Sequence, residues 1–217
     1  MVRWIETAGI LFFLLLVSRA YGELFSGEMQ ISLLAGFLAL PIGFYIADFA
    51  TGMIHWIGDS FGSVQTPLWG PYFVAPFRRH HDDMSEITRL SLAENLGNSS
   101  FIGILALLVF PVDLPQNASF GHLWAAHLWL FAVFFAVAAN LFHRWAHLPP
   151  TRLNQMIRFL HKKKLLLSSQ EHLKHHVRPY RRNYCVLCGW ANPLVNRIPL
   201  KKVESFLSKW GLSTQVE

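Results

Sequence analysis

The amino-acid sequence predicts an all-α protein, a multi-pass membrane bundle of about four transmembrane helices with further helices at the membrane surface. Two observations carry this prediction: the chain contains long apolar runs, and its basic residues are confined to segments that would share one side of a bilayer. Of its 217 residues, 53% are hydrophobic and only 15% charged. Soluble domains average about 25% charged residues. The length suits a single domain, which we take as residues 1–217.

Four apolar segments account for the bundle, because a helix that crosses a bilayer needs about 20 mostly apolar residues. The second and fourth segments are long enough by themselves, whereas the third is short and is expected to draw on residues before Asn98. The first could instead be a secretory signal peptide, which would leave three spans. Glu6 near its start and the scarcity of positive charge favour an uncleaved span. The segments are 5–20, 31–56, 99–114 and 122–143.

The basic residues predict which side of the membrane each loop occupies. If the spans alternate in direction, residues 58–98 and 144–217 face the same side, and together with Arg3 they hold 18 of the 19 lysines and arginines. The opposite loops, 21–30 and 112–121, hold none. The positive-inside tendency makes the basic side cytoplasmic. The net charge of +6 therefore reflects topology, and no nucleic-acid-binding signature or partner is expected.

Eight of the eleven histidines form four clusters, and the topology above places all of them on the cytoplasmic side. Residues four apart on a helix share one face, as His143 and His147 would. Imidazole suits iron, copper, nickel and zinc, and eight imidazoles exceed what one metal ion needs. The sequence therefore predicts a site for two metal ions. Its candidate residues are His55, His80, His81, His143, His147, His172, His175 and His176.

Other metal chemistry fits the pattern less well. A zinc protease of the H-E-x-x-H type needs a glutamate where this chain has Arg144. A metal transporter would need polar ligands near the bilayer midplane, where these spans are apolar. Cys185 and Cys188 are only half of a zinc site, so we expect them to be buried structural residues. Oxygen activation at the membrane surface remains the best interpretation.

Four stretches resemble a known family: "ADFATGMIHWIGDSFGS", "PFRRHHDDMSEITR", "NLFHRWAH" and "EHLKHHVRPYRRNYCVLCGWANPL". They are similar to the lipid desaturase domain of plasmanylethanolamine desaturases, bacterial carotenogenesis regulators and plastid phosphatidylglycerol acyl desaturases, from about residue 47 to residue 198. The resemblance implies a membrane enzyme with a di-iron centre that uses O2 and an electron donor of the cytochrome b5 or ferredoxin type. It implies the eight clustered histidines as iron ligands. It also implies catalytic roles for Asp48, Asp83 and Glu94.

The substrate implied by the resemblance is a phospholipid whose alkyl or acyl chain gains a double bond. The plasmanylethanolamine members have proline where this chain has Met84, and histidine where it has Glu171. Both vinyl-ether formation and acyl-chain desaturation therefore stay open. So do a lipid hydroxylase on the same metal core and a non-catalytic membrane regulator that keeps the fold. The membrane would be the bacterial inner membrane, or that of the endoplasmic reticulum or plastid in a eukaryote.

Several polar residues are expected to support this chemistry. Arg78, Arg79 and Arg89 are candidates to hold the lipid phosphate, because the arginine fork matches phosphate geometry. Asp59 and Asp82 would orient ligands or deliver protons, or else be ordinary solvated acids. Two apolar faces at helical spacing predict helices lying in the membrane surface. These faces are Leu153, Met156, Ile157 and Leu160, and Val203, Phe206, Leu207 and Trp210.

Overall fold

The computed structural model describes residues 2–210, which form helices, turns and loops and no β-strand. The predicted all-α class is confirmed. A short π-helix precedes α3, and a 3-10 turn precedes α7. The helices are α1 (Val2–Leu24), α2 (Met29–Ser60), α3 (Ala75–Asp82), α4 (Glu86–Arg89), α5 (Leu92–Val109), α6 (Phe120–His147), α7 (Gln155–Lys162), α8 (Ser169–His172), α9 (Asn192–Val195) and α10 (Leu200–Ser208).

Among the described residues, four helices are long and apolar enough to cross a membrane, as predicted: Trp4–Leu24 within α1, and the whole of α2, α5 and α6. The third span starts at Leu92, before Asn98 as expected. A capping box fixes that start: Ser91 Oγ accepts a hydrogen bond from the Glu94 backbone N–H at 3.3 Å, and the Glu94 carboxylate accepts one from the Ser91 N–H at 2.8 Å.

The chain divides into two compact units. The first unit contains Met1–Asp48 and Leu90–Phe142, and the second contains Phe49–Arg89 and His143–Glu217. Each unit contains part of α2 and part of α6. All eight clustered histidines belong to the second unit.

The first unit has an apolar core in which α1 and α5 pack closely. Gly103 permits this approach, because a Cβ there would lie 2.5 Å from Val137 and 2.7 Å from Phe13. Small residues are typical of helix contacts in membranes. Many large apolar side chains on the spans point outward, which suits contact with lipid. The buried core comprises Phe13, Val17, Ala20, Leu24, Ala35, Leu107, Leu123, Leu130, Val133 and Val137.

A buried polar pair lies within the first unit. Ser32 Oγ donates to the Leu24 carbonyl at 2.6 Å and lies 3.0 Å from His127 Nε2. Because the hydroxyl proton is already committed to the carbonyl, His127 Nε2 must be the donor to Ser32 Oγ. His127 is hydrogen-bonded, and at 2% exposure it is buried among the helices.

In the second unit, the long loop that follows α8, residues 173–191, contributes many of the buried residues. Buried residues of this loop include the thiols Cys185 and Cys188. Their expected structural burial is confirmed. Gly52 of α2 lies against this loop, because a Cβ at Gly52 would lie 2.7 Å from Cys185 Sγ. The glycine thus admits a loop segment.

The two predicted amphipathic segments form α7 and α10. In α7 the expected apolar face is divided, since Ile157 is buried while its neighbour Met156 is 64% exposed. In α10, Phe206 is exposed and Glu204 is buried. Glu204 is held because its Oε1 accepts hydrogen bonds from the Trp56 indole and the Ser60 hydroxyl of α2. An in-plane position of either helix at the membrane surface stays a prediction.

Candidate metal centre

The eight histidines of the predicted metal site come together in the second unit, although they arise from four separate stretches of chain. His55 lies near the end of α2, His80 and His81 lie on α3, and His143 and His147 end α6. The remaining three lie on α8 and in the turn after it. Their side chains form two neighbouring groups of donor atoms.

The larger group contains five histidines, whose ligand atoms all lie within 4.8 Å of one another. His143 Nε2 lies 2.7 Å from His172 Nε2 and 3.2 Å from His147 Nε2. The Nε2 atoms of His172 and His176 lie 3.0 Å apart. Imidazole nitrogens bind such metals at about 2.1 Å, so two of them at right angles on one ion lie about 3 Å apart. The five histidines are His80, His143, His147, His172 and His176.

The smaller group contains three histidines and one carboxylate: His55, Asp59, His81 and His175. Asp59 Oδ2 lies 3.5 Å from His55 Nε2 and 3.4 Å from His175 Nε2, and Asp59 Oδ1 lies 3.0 Å from His81 Nε2. The carboxylate thus faces a ring nitrogen from each of three separate elements.

Backbone carbonyls fix the orientation of two rings in this smaller group. His55 Nδ1 lies 3.0 Å from the Tyr184 carbonyl oxygen, and His175 Nδ1 lies 2.8 Å from the Arg182 carbonyl oxygen. A carbonyl only accepts, so both Nδ1 atoms must donate. When these rings are neutral, their Nε2 lone pairs therefore point toward Asp59.

Unpartnered buried atoms show that these residues fit a metal ion. Among the described residues, His55 Nε2, His175 Nε2, Asp59 Oδ2 and both ring nitrogens of His80 are buried without a hydrogen-bond partner. Leaving a buried polar atom unpaired costs about 1–3 kcal/mol. Two lone pairs and a carboxylate oxygen that face one another repel, and a cation between them would remove that repulsion.

The larger group is suited to hold neutral imidazoles. Burial lowers the pKa of His80, and the neighbouring histidines, His147 and His176 first, lower it further. The pKa of His172 is also lowered, for the same two reasons. A neutral ring keeps the lone pair that a metal needs.

The two groups adjoin, which is the arrangement that a bimetallic centre requires. Rings from the smaller group lie beside rings of the larger one: the centroids of His81 and His176 are 5.1 Å apart, and those of His55 and His143 are 5.8 Å apart.

Comparison with known proteins agrees with this geometry. The sequence model of the lipid desaturase domain matches residues 44–212, most of the chain. The chain belongs to the lipid desaturase domain family. The match extends beyond the predicted limits of 47 and 198 at both ends. Together with the four candidate spans and the histidine groups, the match supports a membrane lipid desaturase.

Three relatives illustrate the breadth of the lipid desaturase family. A plasmanylethanolamine desaturase from Myxococcus xanthus is 31% identical over 216 residues, covering 97% of this chain and 73% of that protein. Plasmanylethanolamine desaturase 1 from Mus musculus is 31% identical, covering 71% of this chain and 58% of that protein. The chloroplastic fatty acid desaturase 4 from Arabidopsis thaliana is 34% identical, covering 72% of this chain and 47% of that protein. The chain therefore spans about half the length of the mouse and plant relatives. No solved structure matches the chain.

The residues predicted to hold phosphate make contacts within the protein itself. Arg89 donates to Asp83 at 2.5 Å and also to Ser85. The hydrogen bonds that Arg89 and the Ser85 hydroxyl donate to Asp83 lower the pKa of this exposed carboxyl to about 2. Arg79 pairs with Glu86 at 3.2 Å, and Arg78 donates to the Gly62 carbonyl at 2.8 Å. Their role with a lipid, and the catalytic role of Asp83, stay predictions.

Of the other carboxylates expected to support the chemistry, only Asp59 belongs to a donor group among the described residues. Asp48 is fully buried in the first unit, and Glu94 of the same unit caps α5. Neither belongs to the two donor groups, and their catalytic roles stay predictions. Asp59, by contrast, lies at the centre of the smaller group. The signal for Asp59 was present in the sequence, since it follows His55 by four residues, the spacing that also pairs His143 with His147.

Proposed function

We propose that the protein is a di-iron enzyme that uses O2 to introduce a double bond into the alkyl or acyl chain of a phospholipid. The observation that carries this proposal is the pair of adjoining donor groups, with eight histidines and Asp59 between them. Membership of the family supports lipid desaturation as the reaction. The two donor groups support the binding of two metal ions.

The donor chemistry supports iron. Imidazole-rich sites with one carboxylate suit iron, copper, nickel or zinc, and magnesium and calcium prefer oxygen donors. Desaturation is an oxidation, and zinc has no redox chemistry. A lipid chain carries no acidic proton, so a redox cofactor must supply the difficult step. When bound, the reduced iron pair would supply the activation of O2.

The overall reaction sets what else the protein needs. Removing two hydrogen atoms from adjacent carbons and reducing O2 to two water molecules also consumes two electrons and two protons. An external electron donor of the cytochrome b5 or ferredoxin type would supply the electrons. Asp48, Asp83 and Glu94 are the proposed proton-handling residues.

The protein's own residues would hold the iron ligands in place. The carbonyls of Tyr184 and Arg182 keep two imidazoles in the tautomer whose Nε2 binds metal. Asp59 adds the one negative charge to an otherwise neutral donor set. Five of the eight histidines are buried, which would limit the access of water to the site.

The names of the relatives give two candidate products, a vinyl ether and a chain double bond. The reacting site would face the cytoplasm, a proposal supported by the 18 of 19 basic residues that share its side in the predicted topology.

Lipid mass spectrometry of a host with and without this gene tests the proposal. We expect a phospholipid that is lighter by two hydrogens in the host that expresses the gene. The purified chain should contain close to two iron ions. His143→Ala should abolish the new lipid and lower the iron content, because this ring contacts two others of the larger group. His161→Ala, a histidine of the second unit outside both groups, is the matched control and should change neither readout.

Two results would contradict the proposal. Full activity of His143→Ala would remove the larger group from the chemistry. A product with an added hydroxyl and no double bond would make the enzyme a lipid hydroxylase on the same metal core.

A further inference from the structure

A basic cavity of about 580 Å³ lies in the second unit, between the loop that follows α8 and the start of α10. It shares no residue with either donor group. Among its lining residues, Glu204 is the one carboxylate. The cationic side chains that line it are Lys174, Arg178, Arg181, Arg182, Lys201 and Lys202.

Of these six cations, Lys174 is paired with Glu171 at 2.6 Å. Glu204 is 5% exposed, and its Oε1 is directed to the Trp56 indole at 2.7 Å and the Ser60 hydroxyl at 2.9 Å. Within residues 2–210, no salt bridge involves Lys201 or Lys202, and none involves Arg182. Lysine and arginine that converge on a cavity favour an anionic ligand.

The size and lining of the cavity indicate an anion with an apolar part. Sites for small molecules occupy about 300–1,000 Å³, whereas a protein partner usually covers a broad surface of about 800 Å². Apolar side chains line the cavity together with the cations. They are Val177, Val195, Ile198 and Leu200, together with two prolines. A phosphate joined to a glycerol and the first carbons of a lipid chain matches both parts of this lining.

The wall of the basic cavity is also the support of the smaller donor group. Arg182 and Tyr184 line the cavity, and their carbonyls hold His175 at 2.8 Å and His55 at 3.0 Å. A ligand in the cavity would therefore be separated from the metal ligands by a single stretch of backbone. Arg78, Arg79 and Arg89 have no place in this lining.

We propose that the basic cavity binds the headgroup phosphate of the phospholipid substrate, with Lys201, Lys202 and Arg182 as its main contacts. This inference rests on the proposed function and adds the place where the substrate's charge is held. Bound there, the headgroup is anchored while the lipid chain is left free to reach the metal centre.

Binding without turnover tests the inference. Dihexanoylphosphatidylethanolamine is titrated into the purified, iron-loaded full-length protein, with dihexanoylglycerol as the matched ligand that lacks phosphate. The double variant Lys201→Gln/Lys202→Gln should weaken phospholipid binding by about tenfold for each lysine, because each substitution removes a charged contact to the phosphate; tenfold corresponds to about 1.4 kcal/mol. Its iron content and melting temperature should equal those of the wild type, which separates lost binding from lost folding.

The control is Lys162→Gln/Lys163→Gln, an equal charge change at two adjacent exposed lysines of the same unit outside the cavity. It should leave binding unchanged. In turnover, the cavity variant should raise KM while kcat is retained.

Three results would overturn the inference: unchanged phospholipid affinity in the cavity variant, equal affinity for dihexanoylglycerol, or inorganic phosphate that binds as tightly as the phospholipid. A fourth would assign the cavity to a protein partner: normal phospholipid binding with slower reduction of the iron by an acidic ferredoxin. Phospholipid binding that depends on the two lysines in a protein that makes no double bond would support the cavity and refute the proposed function alone.

Discussion

Asp59→Asn is the substitution that most directly tests the smaller donor group. It replaces the one carboxylate of that group by a neutral amide of the same shape. In the protein as it stands, Asp59 Oδ2 lies 3.4 Å from His175 Nε2 and 3.5 Å from His55 Nε2, with no donor among the three atoms when the rings are neutral. An amide nitrogen at the Oδ2 position could donate to either ring.

The substitution should therefore stabilise the metal-free protein while weakening metal binding. One new buried hydrogen bond and the relief of one unpaired nitrogen together contribute about 2 kcal/mol. For a chain of this length that corresponds to a rise in Tm of about 4–8 °C. Loss of the negative charge should weaken the second metal by at least about 100-fold, more than the loss of an outer hydrogen-bond partner does.

Iron content by elemental analysis and Tm of the chelated protein measure the two effects. We expect one iron ion per chain in Asp59→Asn against two in the wild type. Asp82→Asn is the matched control, because Asp82 is exposed on α3 and belongs to neither group. Two tightly bound irons in Asp59→Asn, or a lower Tm for its metal-free form, would refute the reasoning.

Three further predictions concern the support of the two units. Glu204→Ala should lower the free energy of unfolding by about 3–6 kcal/mol, because two hydrogen bonds to a charged oxygen are lost. Glu204→Gln keeps the accepting oxygen and should cost far less. Chemical denaturation of the two variants compares them. Gly52→Ala should cost about 1–3 kcal/mol and reduce iron content, with partial recovery in combination with Cys185→Ala. Ser32→Ala should cost about 1–3 kcal/mol, because His127 Nε2 loses its acceptor, yet retain full iron content; equal iron loss would contradict this.

The spans and the histidine clusters were predictable because strong local constraints write them into the sequence. A bilayer demands long apolar runs, and no other arrangement satisfies the backbone of such a run in lipid. The third span was expected to draw on residues before Asn98, and it begins at Leu92. The capping box at Ser91 and Glu94 was visible as S-x-x-E, and it marks the true beginning.

The composition of the metal centre was only partly predictable. Imidazole spacing indicated which histidines cluster, but nothing local divides eight rings into five and three. The division depends on where α3 and the turn after α8 place their side chains in space. Asp59 remained ambiguous because a carboxylate near a helix end is usually solvated. Its burial beside three rings is a tertiary property.

The long loop after α8 was the least predictable part, and it carries much of the support of the site. It has no helical or strand periodicity to read. Tyr180 and Asn183 have positive φ, a backbone conformation that residues other than glycine rarely adopt. Arg182 and Tyr184 hold the metal ligands through their backbone carbonyls. Every residue has such a carbonyl, so the identity of these two residues could not indicate the contact.

The same loop joins the two proposals into one physical argument. On one side its backbone holds His55 and His175 with their lone pairs turned toward Asp59, an arrangement that is unfavourable without a cation. On the other side it lines the basic cavity with Arg182, which makes no salt bridge within residues 2–210, beside Lys201 and Lys202 of α10. The loop therefore separates the metal-binding atoms from the cations of the basic cavity. Metal that binds on one side and phosphate that binds on the other would both stabilise it. Because binding to the folded state stabilises it, occupancy of either site should make the loop that supports the other more rigid.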